Sequence, residues 1–144
     1  MGRDPMKKKI KTVAQQVNAA AVLIQKLVRM KAADDNGYAS CVTCKKVDHY
    51  TCMDGGHFIP RTRRYLVLFE ENIHVQCKGC NRFGMKDTLI VLKYHTHMVD
   101  MYGEKRVRAM ERLAWRSRKW TREEVAEVVA YAKEQIKYHE GRIA

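Results

Sequence analysis

Cys41-Val42-Thr43-Cys44, Asp54-Gly55-Gly56-His57-Phe58-Ile59-Pro60, Glu71-Asn72-Ile73-His74-Val75-Gln76 and Cys77-Lys78-Gly79-Cys80-Asn81 follow one another in the stretch that decides the fold. It holds two C-x2-C pairs. That spacing lets two thiolates on one turn reach a single zinc ion at about 2.3 Å, and two such turns complete a closed, structural four-cysteine site. The gap between the pairs is longer than in a minimal ribbon, so further structure sits inside the loop. Short strands are expected over residues 51–59 and 73–76, with a short helix over 81–86 at the second pair. The loop has little apolar material of its own, so it should unfold without its metal. Cys52 lies outside both pairs and reads as an ordinary thiol.

Outward from this loop the periodicity turns helical. Val13, Val17, Ala20, Ala21, Ile24, Leu27 and Val28 form one apolar stripe of a helix over 12–33, stopped by Asp34-Asp35-Asn36-Gly37. The stripe packs on the core or meets a second copy of the chain. On the other side, Asp87 caps a helix that Gly103 ends, and a very basic helix is expected over 104–119. Thr121 and Glu124 match a capping box that opens a last helix, whose stripe is Val125, Val128, Val129, Ala132 and Ile136. The expected fold is α+β and mostly helical. Residues 1–11 form a leader and basic arm, 12–36 an N-terminal helix, 37–90 a zinc-bound core and 91–144 a C-terminal helical region. Met1 to Pro5 reads as a vector-derived leader before a native start at Met6, and Lys7-Lys8-Lys9 as the arm.

The 144 residues carry 28 basic and 16 acidic side chains, a net charge of +12, which favours a polyanionic partner, nucleic acid first. No run of about 18 apolar residues exists to span a membrane, and the start lacks the apolar region of a secretory signal. Five cysteines in that setting argue for metal ligation over a disulfide framework.

The order of these motifs resembles the zinc-containing HNH nucleases. In that pattern a general-base histidine lies between two C-x2-C pairs, an asparagine lies further along the hairpin, and a metal-binding residue follows the last cysteine. Here those positions hold His57, Asn72 and Asn81. The stretches Gly56-His57-Phe58, Glu71 to Cys77 and Cys80-Asn81-Arg82 are most similar to the lambdoid-phage NinG (Rap) recombination nucleases, with matching residues from Cys41 to Gly103. The resemblance implies a ββα-metal core and a structure-specific endonuclease that cleaves branched recombination intermediates, Holliday junctions and D-loops. It further implies a phage or prophage protein in the bacterial cytoplasm, working beside phage or host recombination proteins. Symmetric cutting of two strands suggests a homodimer.

The chemistry of the residues stands beside the resemblance. A neutral imidazole, His57, can take a proton from the attacking water. A hard Mg²⁺ or Mn²⁺ ion can neutralise charge at phosphate, with the Asn81 amide oxygen as a ligand. Asn72 is suited to holding the loop or orienting His57. Many HNH enzymes carry an Asp or His ligand just before the base; here that residue is Gly56. Asp54, on the same face of an extended segment, can replace it, and His74 is either a further ligand or a hydrogen-bonding residue of the hairpin. Arg61, Arg63, Arg64, Arg82 and Lys86 are the expected phosphate contacts. Two alternatives explain part of the pattern: an HNH nuclease without preference for branched DNA, and a zinc module that binds DNA without cutting it.

Overall fold

The computed structural model describes residues 9–144; the leader and most of the basic arm, Lys7 and Lys8 included, lie outside the described residues. The fold is α+β and mostly helical, with two small antiparallel sheets. Helix α1, Val13–Ala32, opens on a capping box in which Thr12 and Gln15 satisfy each other's backbone N–H groups. Its apolar face, Val17, Ala20, Ala21, Ile24, Leu27, Val28 and Met30, is buried inside the chain. Part of it packs on Val125 and Ala132 of the last helix, α5, Arg122–Arg142, and part on Ile73 and Leu68. This corrects one option from the sequence: the stripe makes core, so it does not supply a contact with a second copy.

Strands β1, Tyr38–Ser40, and β2, Val47–His49, form a hairpin that periodicity did not announce, and the first cysteine pair sits at its tip. Strands β3, Met53–His57, and β4, Ile73–Cys77, pair antiparallel, with Asp54 opposite Gln76, Gly56 opposite His74 and His57 opposite Ile73. β3 is shorter than the expected 51–59 because Tyr50–Cys52 forms a single 3-10 turn capped by the His49 side chain. Helix α2, Lys78–Arg82, begins three residues earlier than expected because the Cys77 sulfur accepts from the Cys80 N–H and serves as its N-cap. The hairpin is wedged between α1 and α3, Thr88–Tyr102. On the α1 side, a Cβ at Gly55 would come 2.7 Å from the Gln25 Cα, so only glycine allows this approach. On the α3 side, the Tyr94 hydroxyl donates to the Gly56 carbonyl at 2.6 Å.

Asp87 caps α3 through the Leu89 N–H, and Gly103, with φ of 86°, ends it. The basic helix that follows, α4, is Glu104–Leu113 and stops well short of Lys119. Side chains beyond the helix explain the stop. The Arg118 guanidinium sits 3.7 Å from the Trp120 ring centre and pairs with Glu124, while the Trp120 indole N–H donates to the Arg64 carbonyl at 2.9 Å. These contacts draw residues 114–120 across the loop before the Thr121 capping box starts α5. None of the described helices is long and apolar enough to cross a membrane.

Candidate functional site

Four sulfurs converge where the two hairpins meet. The Sγ atoms of Cys41, Cys44, Cys77 and Cys80 all lie within 4.8 Å of one another, and Cys44 and Cys77 are 3.6 Å apart. Tetrahedral zinc needs sulfurs about 3.8 Å apart, so the group fits such an ion. The first knuckle is a tight turn in which the Lys45 N–H donates to the Cys41 carbonyl and Lys45 takes a φ of 67°. The Val42 N–H donates to the Val75 carbonyl at 3.0 Å, which docks this knuckle on β4. Electrostatics favour a cation. Burial pushes the Cys80 thiol up to about 12, reinforced by the neighbouring Cys77 and Cys44 sulfurs. For Cys41, burial is outweighed by hydrogen bonds from neighbouring N–H groups and the Thr43 hydroxyl, which bring it down to about 6. Cys52 is exposed and lies outside the group.

Beside the second cysteine pair lies a cleft of about 670 Å³, lined by His57 and Asp54 from β3, Asn81 and Arg82 from α2, Arg61 from the loop after β3, and Gln25 and Arg29 from α1. Within it the Asn81 amide donates to an Asp54 carboxylate oxygen at 3.0 Å, and Arg82 donates to the same oxygen at 3.3 Å. Asn81 Oδ1 has no hydrogen-bond donor among the described residues. His57 is 8% exposed, and its Nε2–H donates to the Val67 carbonyl at 3.0 Å. That bond puts the proton on Nε2 and leaves Nδ1 as the basic nitrogen, with no partner among the described residues. Burial holds the imidazole down to about 4; the Val67 bond opposes this, and Arg61 and Arg64 add to it.

Asn72 is fully buried and turns all its bonding capacity on the loop after His57. Its Oδ1 accepts from the Ile59 N–H at 2.8 Å, and its Nδ2 donates to the Ile59 and Leu66 carbonyls. It positions that loop and has no atom free for chemistry. His74 is not brought to the cleft: it faces Tyr102 and His97, and its Nε2 bonds the Glu71 carbonyl at 3.0 Å. This corrects its grouping with Asp54 and Asn81. Register puts His74 on the same face as Asp54, but two residues along β4 from Gln76 its ring is tied to the Glu71 carbonyl and packed against Tyr102 and His97, so it does not join Asp54 and Asn81.

Of the expected phosphate contacts, Arg61 and Arg82 line the cleft. Arg63 stacks 4.4 Å over the exposed Trp115, and Arg64 donates to Asn18 Oδ1 at 3.1 Å, both in the loop beside it. Lys86 is exposed at the end of the 3-10 turn Gly84–Lys86. Sequence reasoning missed Gln25 and Arg29, which sit one turn apart on the polar border of the α1 stripe. It also passed over Gln76, which is fully buried. Its Nε2 donates to the Thr43 hydroxyl at 3.3 Å, whereas its Oε1 is buried without a partner.

Together, fold and site define an α+β, mostly helical protein built round four cysteines that could hold a metal such as zinc. The family model of the Bacteriophage Lambda NinG protein matches residues 3–141, and the chain belongs to that family. No curated protein and no solved structure matches it.

Proposed function

We propose that this NinG-family chain is a zinc-stapled endonuclease of the ββα-metal (HNH) type that hydrolyses phosphodiesters in branched DNA, Holliday junctions and D-loops among them. The observation that carries the reading is the meeting, in one cleft, of a neutral histidine with a free Nδ1, a carboxylate–amide pair and three arginines. The hairpin β3–β4 followed by α2 has the ββα order, and zinc on the four cysteines would pin both of its ends.

In this reading His57 Nδ1 accepts the proton of the attacking water. Val67 holds the ring, and Asn72 holds the loop that carries Val67 and Arg61. Arg61 and Arg82 grip the phosphate by charge and hydrogen bonding. The donors present suit a hard divalent ion: the Asp54 carboxylate, which accepts from Asn81 Nδ2, and the oxygen of that same Asn81 amide are both hard ligands. Mg²⁺ or Mn²⁺ held there supplies neutralisation of the charge that builds on the phosphate oxygens. A homodimer, cutting two strands symmetrically, would use a surface other than the buried α1 stripe.

Labelled four-way junction, D-loop and linear duplex of matched sequence, incubated with zinc-loaded protein and Mg²⁺, Mn²⁺ or EDTA, test the proposal. Junction and D-loop are cut only with metal, and linear duplex is spared. Equal cutting of all three would leave an HNH nuclease without structural preference. Binding without cutting under both metals would leave a zinc module that only binds DNA.

A further inference from the structure

Gly56 and Gln76 explain each other. A Cβ at position 56 would lie 1.8 Å from Gln76 Oε1 and 3.0 Å from Asn81 Oδ1. The place a methyl group would take is thus filled by Gln76 Oε1, with Asn81 Oδ1 beside it, and Gln76 Oε1 is buried without a partner. Asp54 stands opposite Gln76 in the strand register, so its side chain shares that face of the hairpin. A buried acceptor left bare is unfavourable unless a proton donor or a cation meets it.

The orientation of the Gln76 amide is set from the zinc side. The Thr43 hydroxyl is 3.2 Å from the Cys41 sulfur and accepts from Gln76 Nε2 on its other side. A zinc-bound thiolate only accepts, so Thr43 donates to it and presents lone pairs to Gln76. Nε2 must then face Thr43, and Oε1 must face Gly56 and Asn81. From this we infer that Gln76 Oε1 is a third protein ligand, with Asp54 and Asn81, for the divalent ion of the cleft. It occupies the room that a side chain at position 56 would otherwise take. The inference rests on the ion site in the proposed nuclease reading and adds a ligand to it. It also makes Cys41–Thr43–Gln76 a direct physical link from the structural metal to the cleft.

The test is Mn²⁺ binding alone, without DNA, to the full zinc-loaded chain, read by calorimetry and by the electron paramagnetic resonance of bound Mn²⁺. Zinc content and far-ultraviolet circular dichroism are matched between proteins. Gln76→Met removes the oxygen at nearly constant shape and weakens Mn²⁺ binding by roughly tenfold or more, as does Asp54→Asn. Gln76→Glu puts a charged oxygen in the same place and tightens binding. If Gln76→Met fails to fold, the isosteric Gln76→Glu decides. Wild-type Mn²⁺ affinity in Gln76→Glu, or in a folded Gln76→Met, overturns the inference. Mn²⁺ binding that depends on Gln76 in a protein that cuts no DNA would uphold the ligand and sink the nuclease reading alone.

Discussion

As the proposed base, His57 faces two competing demands. A base must be neutral at working pH, yet keep its appetite for a proton. Burial meets the first demand, holding the ring near a pKa of about 4 against the Val67 hydrogen bond. An arriving phosphate would partly restore the second, because a nearby negative charge raises the pKa of an imidazole. His74 is held near 4 as well, again first by burial, with the Glu71 carbonyl opposing. The consequence for stability has a definite sign. Above the unfolded value of 6.5 both states leave these rings neutral. As pH falls below 6.5, the unfolded chain takes up protons that the folded chain refuses, so stability drops until about 4 is passed. Urea midpoints should therefore fall between pH 7 and 5, and fall less steeply in His74→Gln; an equal slope in the variant would contradict the assignment. Legibility divides sharply at this scale. The cysteines announced themselves by spacing, and His57 and Asn81 were named by the family resemblance. Gly56 read as a missing ligand, and only the structure reveals that Gln76 Oε1 fills the place its side chain would take, with Asn81 Oδ1 beside it. An orphaned oxygen on Gln76 has no trace in the sequence, because it depends on which neighbours fail to reach it.

Between residue and molecule, the elements round the four cysteines would depend on a metal held there. β1 and β2 are three residues each, and α2 is five. Elements so short cannot persist on backbone hydrogen bonding alone. Around the sulfurs the core is thin, with Ala33, Ala39, Met53 and Val75 as its main apolar members. A structural zinc site is worth about 10–16 kcal/mol in apparent binding, comparable to the whole stability of a small domain. Stripping zinc should therefore abolish amide protection in β4 and α2, and returning it should release protons from the thiols; hydrogen exchange and a pH-stat measure both. Protected β4 amides in the zinc-free chain would refute this. The same shortness hid β1 and β2 from sequence reading, since three residues show no alternation. The long helices were legible because each carries its own cap and stripe. The overextension of α4 to Lys119 has a different origin: helix-compatible residues continue, but Arg118 and Trp120 bond to distant partners and take the chain with them.

For the molecule as a whole, charge and topology point to one face. Some of the 28 basic side chains are held in local pairs, Arg106 with Glu71, Arg118 with Glu124 and Arg142 with Asp35 among them, and the surplus of 12 is left undiminished. Arg61 remains unpaired among the described residues at the cleft, where Arg82 meets Asp54. The family match over residues 3–141 extends well beyond the motif-bearing stretch from Cys41 to Gly103. The structure gives that extension a reason: α1 lends Gln25 and Arg29 to the cleft, and α5 buries the back of α1.

Mg²⁺-dependent cleavage of a labelled four-way junction by wild type and His57→Ala, at matched zinc content and matched junction binding, tests the central claim most directly. Wild type is expected to cut, and the variant to bind as tightly but cut slower by about 10²–10⁴-fold. Equal cutting by the two proteins would contradict it.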